Sequence, residues 1–350
     1  MIPTVSVCIP TYNRATTLGQ TIHAVLKQTF QDLELIICDD GSSDHTDDVV
    51  DSFHDDRIRY YKNEKNLGLY PNWNRCISLA TGKYVAIYHD HDYYLPTIVE
   101  RSVSLLERYP DASFAHTALL MADENKLPVR VDIRNLPELM PGVVLRQLLS
   151  NSWHSPIMAA TAMVRREAYQ QVGSYNPDLY GLGCDMNMWF RLADIGDIAY
   201  VDEPQVLIQM RRKGDQTATF HWSEVVKSLR MRRDHLEQVL GANPRMGSWY
   251  SWAKYALQRD RRLFTFMVRA LLVESPEVIE EGECVVKSEG SLLAYWGTRL
   301  IKRSAILHKI LYHVFLPMHY RRVARWSESQ NEVTAHYLQT HPFNFSNTAE

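Results

Sequence analysis

The stretch Lys83-Tyr-Val-Ala-Ile-Tyr-His-Asp-His-Asp-Tyr-Tyr-Leu-Pro96 decides how this chain folds. Its apolar run, Tyr84 to Tyr88, has the length and the aromatic and β-branched character of a buried strand. The run stops abruptly at four polar residues, His89, Asp90, His91 and Asp92. Carboxylates and imidazoles gathered at a strand end form a ligand set for a divalent cation. Carboxylate oxygens suit Mg²⁺ or Mn²⁺, whereas neutral imidazole accepts Mn²⁺ and rarely Mg²⁺. In open α/β sheets, ligands bind beyond the carboxyl ends of the strands. A polar loop that merely carries four charges is the competing reading.

Moving outward, the first half of the chain alternates strand and helix signals. Strands are expected at 5–9, 33–38, 58–61 and 84–88, with helices near 17–28, 45–53 and 71–80 and another from Pro96 onward. Thr17 and Gln20 stand at capping-box spacing, and Asp44 and Asp47 favour the positive end of the second helix. Trp73, Cys76, Ile77 and Ala80 form the inward face of the third. The strands are nearly continuous apolar runs, which favours a parallel sheet covered by helices on both faces. Further strands are expected at 112–121, 159–165 and 199–210, an exposed connection at 122–138, and a helix at 184–193. Beyond about residue 220 the βα alternation ends and helical segments dominate, and residues 327–350 form a polar tail.

Composition narrows the class. The 350 residues are 45% hydrophobic and 23% charged, ordinary for a soluble globular protein, and the net charge of −3 argues against a nucleic-acid partner. Cys8, Cys38, Cys76, Cys184 and Cys284 are odd in number and lack Cys-x-x-Cys spacing, so a reducing compartment is expected. Cys8, Cys38 and Cys76 read as small core residues. The N-terminus carries no signal-like leader, and no run of 18 apolar residues suggests a membrane span.

Several short motifs recur in a recognisable order. They are Val5-Ser-Val-Cys-Ile-Pro-Thr-Tyr-Asn-Arg14, Leu33-Glu-Leu-Ile-Ile-Cys-Asp-Asp-Gly-Ser42, Asn66-Leu-Gly68, Asn72-Trp-Asn74, the His/Asp cluster, and Gly183-Cys-Asp-Met-Asn-Met-Trp-Phe-Arg191. Together they resemble the inverting family 2 glycosyltransferases of the GT-A fold, over roughly residues 4–215. The resemblance implies an α/β, Rossmann-like, mixed but mainly parallel sheet flanked by helices, with a helical C-terminal extension. The domains expected are 1–218 (nucleotide-sugar binding and catalysis), 219–326 (helical, membrane-associated or oligomerising) and 327–350 (tail).

The resemblance also assigns roles. Pro10, Thr11, Tyr12 and Arg14 fall where the family holds base and ribose. Asp39 falls where a carboxylate accepts a hydrogen bond from a uracil-type imide, although an Asp-Asp-Gly-Ser turn explains it equally simply. Asn66 and Asn74 fall in a loop near the nucleotide, and Asp90 contributes there and to the metal. Where many relatives carry Arg, this chain has Trp73, read as core. The metal ligands expected are Asp90, His91 and Asp92. His91 replaces the carboxylate that usually grips the ion, which favours Mn²⁺ over Mg²⁺. Asp185 is the expected general base, with Cys184 replacing the usual Glu; a helix N-cap is the plainer role for the same residue. Trp153, His154 and Trp189 are assigned to the sugar and acceptor pocket. Arg211, Arg212 and Lys213, with Lys213 in place of a family His, are assigned to the diphosphate.

The implied activity is metal-dependent transfer of a sugar from a nucleotide-diphospho-sugar, a UDP-sugar favoured, to a glycan or lipid-linked acceptor. The implied setting is surface polysaccharide or glycolipid synthesis, in the cytoplasm or on the inner membrane face. A non-catalytic nucleotide- or sugar-binding protein on the same fold is the alternative, and a His/Asp metal phosphohydrolase is a remoter one. Finally, Ser291 to Arg325 holds seven Lys or Arg and no Asp or Glu. On a helical wheel Arg299, Lys302, Arg303, Lys309 and His313 share one sector, beside Trp296, Leu300, Leu307, Leu311 and Val314. This pattern suits an anionic membrane surface or a helix packed on the catalytic domain.

Overall fold

The computed structural model describes residues 2–122, 128–132, 136–151, 157–209, 222–242, 255–261, 263–264, 267, 276–290 and 292–303. These fall into two compact units. The first contains the described residues of 2–176 and 184–209, and the second contains 177–183 and the described residues from 222 onward.

The first unit is built on a sheet with strand order β3-β2-β1-β4-β9-β6-β10-β5. β1 (Val5–Thr11), β2 (Leu33–Asp39), β3 (Ile58–Lys62) and β4 (Tyr84–Ile87) run parallel. Between them lie α1 (Ala15–Leu26), α2 (Thr46–Asp51) and α3 (Leu69–Leu79). Every residue of β2 and β4 is buried, because both faces of a parallel sheet are covered; this is why their sequences read as unbroken apolar runs. The register pairs Thr11 with Asp39 and Cys8 with Ile87, so β1, β2 and β4 release their chains at the same edge. That edge carries the candidate site.

Beyond β4 the sheet turns mixed. β5 (Tyr93–Tyr94) pairs antiparallel with β10 (Asp197–Gln209) and is followed by α4 (Ile98–Arg108). β6 (Ala112–Ala122) runs parallel to β10, while β9 (Ala162–Arg165) lies antiparallel between β4 and β6. α6 (Arg166–Val172) follows β9 directly. The fold is therefore a mixed α/β sheet with a parallel N-terminal half, flanked by helices, as the sequence implied. One continuous core joins Val7, Ile9, Leu35 and Ile37 to Leu18, Val25, Val103 and Leu106. Cys8, Cys38, Cys76 and Cys184 are buried and form no disulfide, and Cys284 is exposed.

Three local expectations need correction. Helix α1 begins at Ala15, so Thr17 and Gln20 form no capping box; the Ala15 amide instead donates to Asp44 Oδ2 at 3.0 Å. The stretch read as an exposed connection holds β7 (Pro128–Asp132), paired with β6, followed by β8 (Leu139–Met140) on β10. A helix without a sequence expectation, α5 (Gly142–Asn151), follows β8. Gly142 lets it close on the chain: a Cβ there would lie 2.1 Å from the Ala193 carbonyl oxygen.

In the second unit, α7 (Pro177–Tyr180) packs on α9 (Trp222–Ala242), which packs on α10 (Pro276–Glu289). Trp222 Nε1 donates to the Val278 carbonyl at 2.7 Å, and the ring sits where a side chain at Gly282 would be. α11 (Leu292–Arg303) packs on α10. Among the described residues, no helix is long and apolar enough to cross a membrane.

Candidate active site

The site grows from the shared strand edge. After β1 the chain turns at Asn13, whose φ of 52° is left-handed, a conformation that Asn tolerates. The turn is held against the neighbouring loop: the Asn13 amide donates to Ser42 Oγ at 2.8 Å, and the Ser43 amide donates to Asn13 Oδ1 at 2.9 Å. Beside it, Pro10 is half-buried, Thr11 is buried with no hydrogen-bond partner for Oγ1 among the described residues, and Tyr12 and Arg14 are exposed. This arrangement leaves one aromatic face and one guanidinium free at the mouth of the edge.

Asp39 is fully buried. Its Oδ1 accepts the Ser42 amide at 2.8 Å and its Oδ2 accepts the Tyr60 hydroxyl at 2.8 Å. Burial, reinforced by Asp47 and Asp39, pushes the Tyr60 hydroxyl far above its ordinary range. Asp40 does structural work: Oδ1 accepts from Asn63 Nδ2 at 2.7 Å and from the Leu67 amide at 2.8 Å, and Oδ2 accepts the Gly68 amide at 2.9 Å. This carboxylate sets the loop carrying Asn66, which is itself exposed. Asn74 is committed elsewhere. Its Nδ2 donates to the Tyr175 carbonyl at 2.9 Å, and its Oδ1 accepts the Tyr175 amide at 2.9 Å. Both ends of its amide latch α3 to the 173–175 turn, which departs from the nucleotide role expected of it.

The His/Asp corner follows β4 directly. His89, His91 and Asp92 each offer a ligand atom, all within 4.8 Å of one another. Asp92 is fully buried; its Oδ2 lies 2.8 Å from His89 Nδ1, and its Oδ1 accepts the Gln209 amide at 3.1 Å. Asp90 lies outside this group, with Oδ1 2.9 Å from His91 Nδ1. The ligand atoms that group together thus come from His89, His91 and Asp92, whereas the expected ligand Asp90 is hydrogen-bonded to His91. No strand alternation predicts this grouping, because β4 ends at Ile87 and a turn at Asp90 and His91 brings the two imidazoles together. Burial works to lower the His91 pKa, but the hydrogen bond to Asp90 and the charges of Asp92 and Asp90 prevail and raise it. Two imidazoles and a carboxylate form a donor set that fits a divalent cation.

An aromatic series leads away from the corner. The His89 and His91 rings stack at 5.7 Å, and Trp73 stacks on His89 at 5.9 Å. Tyr175 meets the Trp73 ring edge-on at 5.5 Å and stacks on Tyr70 at 5.7 Å. Trp73 is buried, as expected of a core residue, yet it borders the corner; sequence reading missed this role and that of Tyr175. Asp185 lies in the first turn of α8 (Cys184–Ile195). Its charge acts on Tyr175, and that of His89 acts on it. Burial raises its carboxyl to about 6, against the opposing pull of the Met186 amide hydrogen bond (2.6 Å) and of His89. A buried carboxylate near neutrality is competent as a general base.

Trp189 is placed differently from its assignment. It is 1% exposed and packs on Phe114 at 5.2 Å, so it has no ring face open to a sugar. Trp153, His154, Arg211, Arg212 and Lys213 lie outside the described residues.

Comparisons with known proteins bear on the family and the fold. The model of Glycosyl transferase family 2 matches residues 6–173. The putative glycosyltransferase EpsE of Bacillus subtilis is 29% identical over 217 residues, 61% of this chain and 74% of the relative. The Escherichia coli UDP-Glc:alpha-D-GlcNAc-diphosphoundecaprenol beta-1,3-glucosyltransferase WfaP is 34% identical over 103 residues, 29% of this chain and 41% of the relative. Among solved structures, S. aureus TarS 1-349 in complex with UDP superposes with a TM-score of 0.60 over 96% of this chain and 92% of that one, at 16% identity, a likeness of fold. Residues 6–173 carry the parallel strands, their shared edge and the His/Asp corner, and over that stretch the chain matches the family 2 glycosyltransferases.

Proposed function

We propose that the protein is a metal-dependent, inverting glycosyltransferase that moves a sugar from a nucleotide-diphospho-sugar to an acceptor hydroxyl. The observation that carries this reading is the corner after β4, where ligand atoms of His89, His91 and Asp92 lie within 4.8 Å of one another; Asp185, whose carboxyl burial raises to about 6, feels the charge of His89. His89, His91 and Asp92 hold the cation, Mn²⁺ in preference to Mg²⁺. When bound, the ion supplies Lewis-acid stabilisation of the departing diphosphate. Asp185 accepts the proton of the acceptor hydroxyl as that oxygen attacks the anomeric carbon. Attack from the face opposite the leaving group inverts the configuration. Asp92 is buried and Asp185 half-buried, so their charges are partly shielded from water and act more strongly.

Donor and acceptor are proposed from the same edge and from the relatives. Tyr12 and Arg14 line the mouth where the nucleotide sits, with Asp39 buried behind them and occupied by Ser42 and Tyr60; TarS was solved with UDP, so a UDP-sugar is favoured. Arg211, Arg212 and Lys213 follow Gln209, whose amide is tied to Asp92, and are assigned to the diphosphate. Trp153 and His154 keep their assignment to the sugar and acceptor. WfaP, named for a diphosphoundecaprenol acceptor, supports a lipid-linked or glycan acceptor here; surface polysaccharide or glycolipid synthesis on the inner face of the membrane is the setting we propose. The test is a panel of nucleotide-sugars incubated with the protein and Mn²⁺. Metal-dependent release of the nucleoside diphosphate from one donor, abolished by chelation, supports the reading; no release from any donor rejects it.

A further inference from the structure

We infer that the second unit carries a docking surface for an anionic lipid bilayer, formed by the exposed faces of α11 and of the helical segment beginning at 255. The inference adds a partner to the transferase reading and concerns binding alone, so either can fail without the other.

On α11, Trp296 is 57% exposed and Leu300 62% exposed, one helical turn apart on the same face. Gly297, between them, lies against Phe264: a Cβ there would be 3.4 Å from the Phe264 ring, and Phe264 is itself exposed. Leu257, in the helical residues 255–261, is 72% exposed. Soluble proteins scatter exposed apolar residues singly; large aromatic and aliphatic side chains grouped on neighbouring helices mark an interaction surface.

The chemistry around this patch selects its occupant. Arg299 lies 5.6 Å from the Tyr295 ring centroid and 5.9 Å from that of Trp296, and its Nη1 donates to the Tyr295 hydroxyl at 3.2 Å. A guanidinium held beside an exposed indole suits the boundary between acyl chains and headgroups, where aromatic rings sit at the interface and cations reach phosphate. Lys302 and Arg303 follow on the same helix, and the stretch from Ser291 to Arg325 has seven basic residues and no acidic one. A second copy of the chain seated on the same patch would bring two basic helices face to face, because a two-fold interface pairs a surface with itself. An anionic bilayer complements both the apolar patch and its charge, and it matches the lack of any spanning helix among the described residues.

The test is co-sedimentation of the full-length protein with vesicles of phosphatidylcholine alone and of equal parts phosphatidylcholine and phosphatidylglycerol. The wild type is expected to bind the anionic vesicles and not the neutral ones, with binding weakening as salt rises. Trp296→Ala combined with Leu300→Ala should lower the partition coefficient at least about tenfold, from the apolar area no longer buried. Both positions are exposed, and far-UV circular dichroism checks that the variant is folded. Arg299→Gln with Lys302→Gln and Arg303→Gln, which removes charge and leaves the apolar patch, should weaken binding mainly at low salt. Absence of wild-type binding, equal binding to neutral vesicles, or undiminished binding by the Trp296/Leu300 variant would overturn the inference. So would a solution dimer that this variant converts to monomer, which would assign the patch to a second copy.

Discussion

The Trp73 ring stacks on the His89 imidazole with centroids 5.9 Å apart and planes 30° from parallel. The contact joins α3 to the corner after β4 and fixes the plane of a proposed cation ligand. Trp73 also meets Tyr70 and Tyr175 edge-on, so its ring fills the space between the corner and the turn near Asp185. Trp73→Ala should cost about 3–5 kcal/mol in urea unfolding through the cavity it leaves. It should also weaken Mn²⁺ binding, because His89 loses the surface that orients it. Trp73→Phe should cost much less. It keeps an aromatic face on His89 and removes a buried indole N–H that has no partner among the described residues. Calorimetric titration of Mn²⁺ into the three proteins checks the order wild type, Phe, Ala.

Asp185 links activity and stability with opposite signs. As general base it must be ionised, so transfer should rise with pH through about 6 and level off above. Asp185→Asn should reduce kcat about 10²- to 10⁴-fold while leaving the affinity for UDP within about twofold of wild type. Its folded carboxyl titrates above the unfolded value of 3.8, so the native state binds the proton more tightly. Native stability therefore falls as pH rises from about 4 to 6, and the full penalty, roughly 3 kcal/mol, persists at higher pH. Asp185→Asn escapes it. The inactive variant should be more stable than wild type at pH 8 and equal to it near pH 3.5, a difference that chemical denaturation at the two pH values will measure.

The choice of cation ligands is equally open to test. His89 belongs to the group that converges on one point and Asp90 does not. His89→Ala should therefore reduce Mn²⁺ affinity more than Asp90→Asn, which loosens only the hydrogen bond orienting His91, an effect of about 10- to 100-fold. Asp92→Ala should be the most damaging, because Asp92 also holds the His89 ring and the end of β10. Electron paramagnetic resonance of bound Mn²⁺ across the variants gives the order; equal losses for His89→Ala and Asp90→Asn would return Asp90 to the ligand set.

The parallel half of the fold was legible because its strands are buried on both faces and leave unbroken apolar runs, as in Leu33 to Cys38 and Tyr84 to Tyr88. The corner was legible because four polar residues interrupt such a run. Less was readable where partners are remote in the chain. Trp189 matched a motif, yet α8 is buried on most of its circumference and Phe114 of β6 claims the ring. Asn74 matched a nucleotide loop, but the Tyr175 backbone takes both ends of its amide. β7 and α5 lack strong periodicity and owe their form to β6 and to the close approach at Gly142. In each case local pattern gave the element or the residue type, and a tertiary contact chose the role.

Asp40 illustrates the same division and yields the last prediction. The sequence presents Asp39 and Asp40 as an equivalent pair ahead of Gly41, but their surroundings differ. Asp39 faces Ser42 and Tyr60, whereas Asp40 gathers Asn63, the Leu67 amide and the Gly68 amide. Gly68 sits at φ 93°, a conformation that L side chains rarely adopt, and its amide is tied to Asp40 Oδ2. Asp40→Ala strands two backbone donors and the Asn63 amide in a partly buried place, which should cost about 2–4 kcal/mol of stability. Asp40→Asn should fall between, since its carbonyl still serves Asn63 and Leu67 while its NH₂ confronts the Gly68 donor. If the loop carrying Asn66 contacts the nucleotide, both variants should also raise the Kd for UDP more than they lower kcat. Urea unfolding together with UDP titration separates the two effects: a stability loss with unchanged UDP affinity would confine Asp40 and its loop to a structural role.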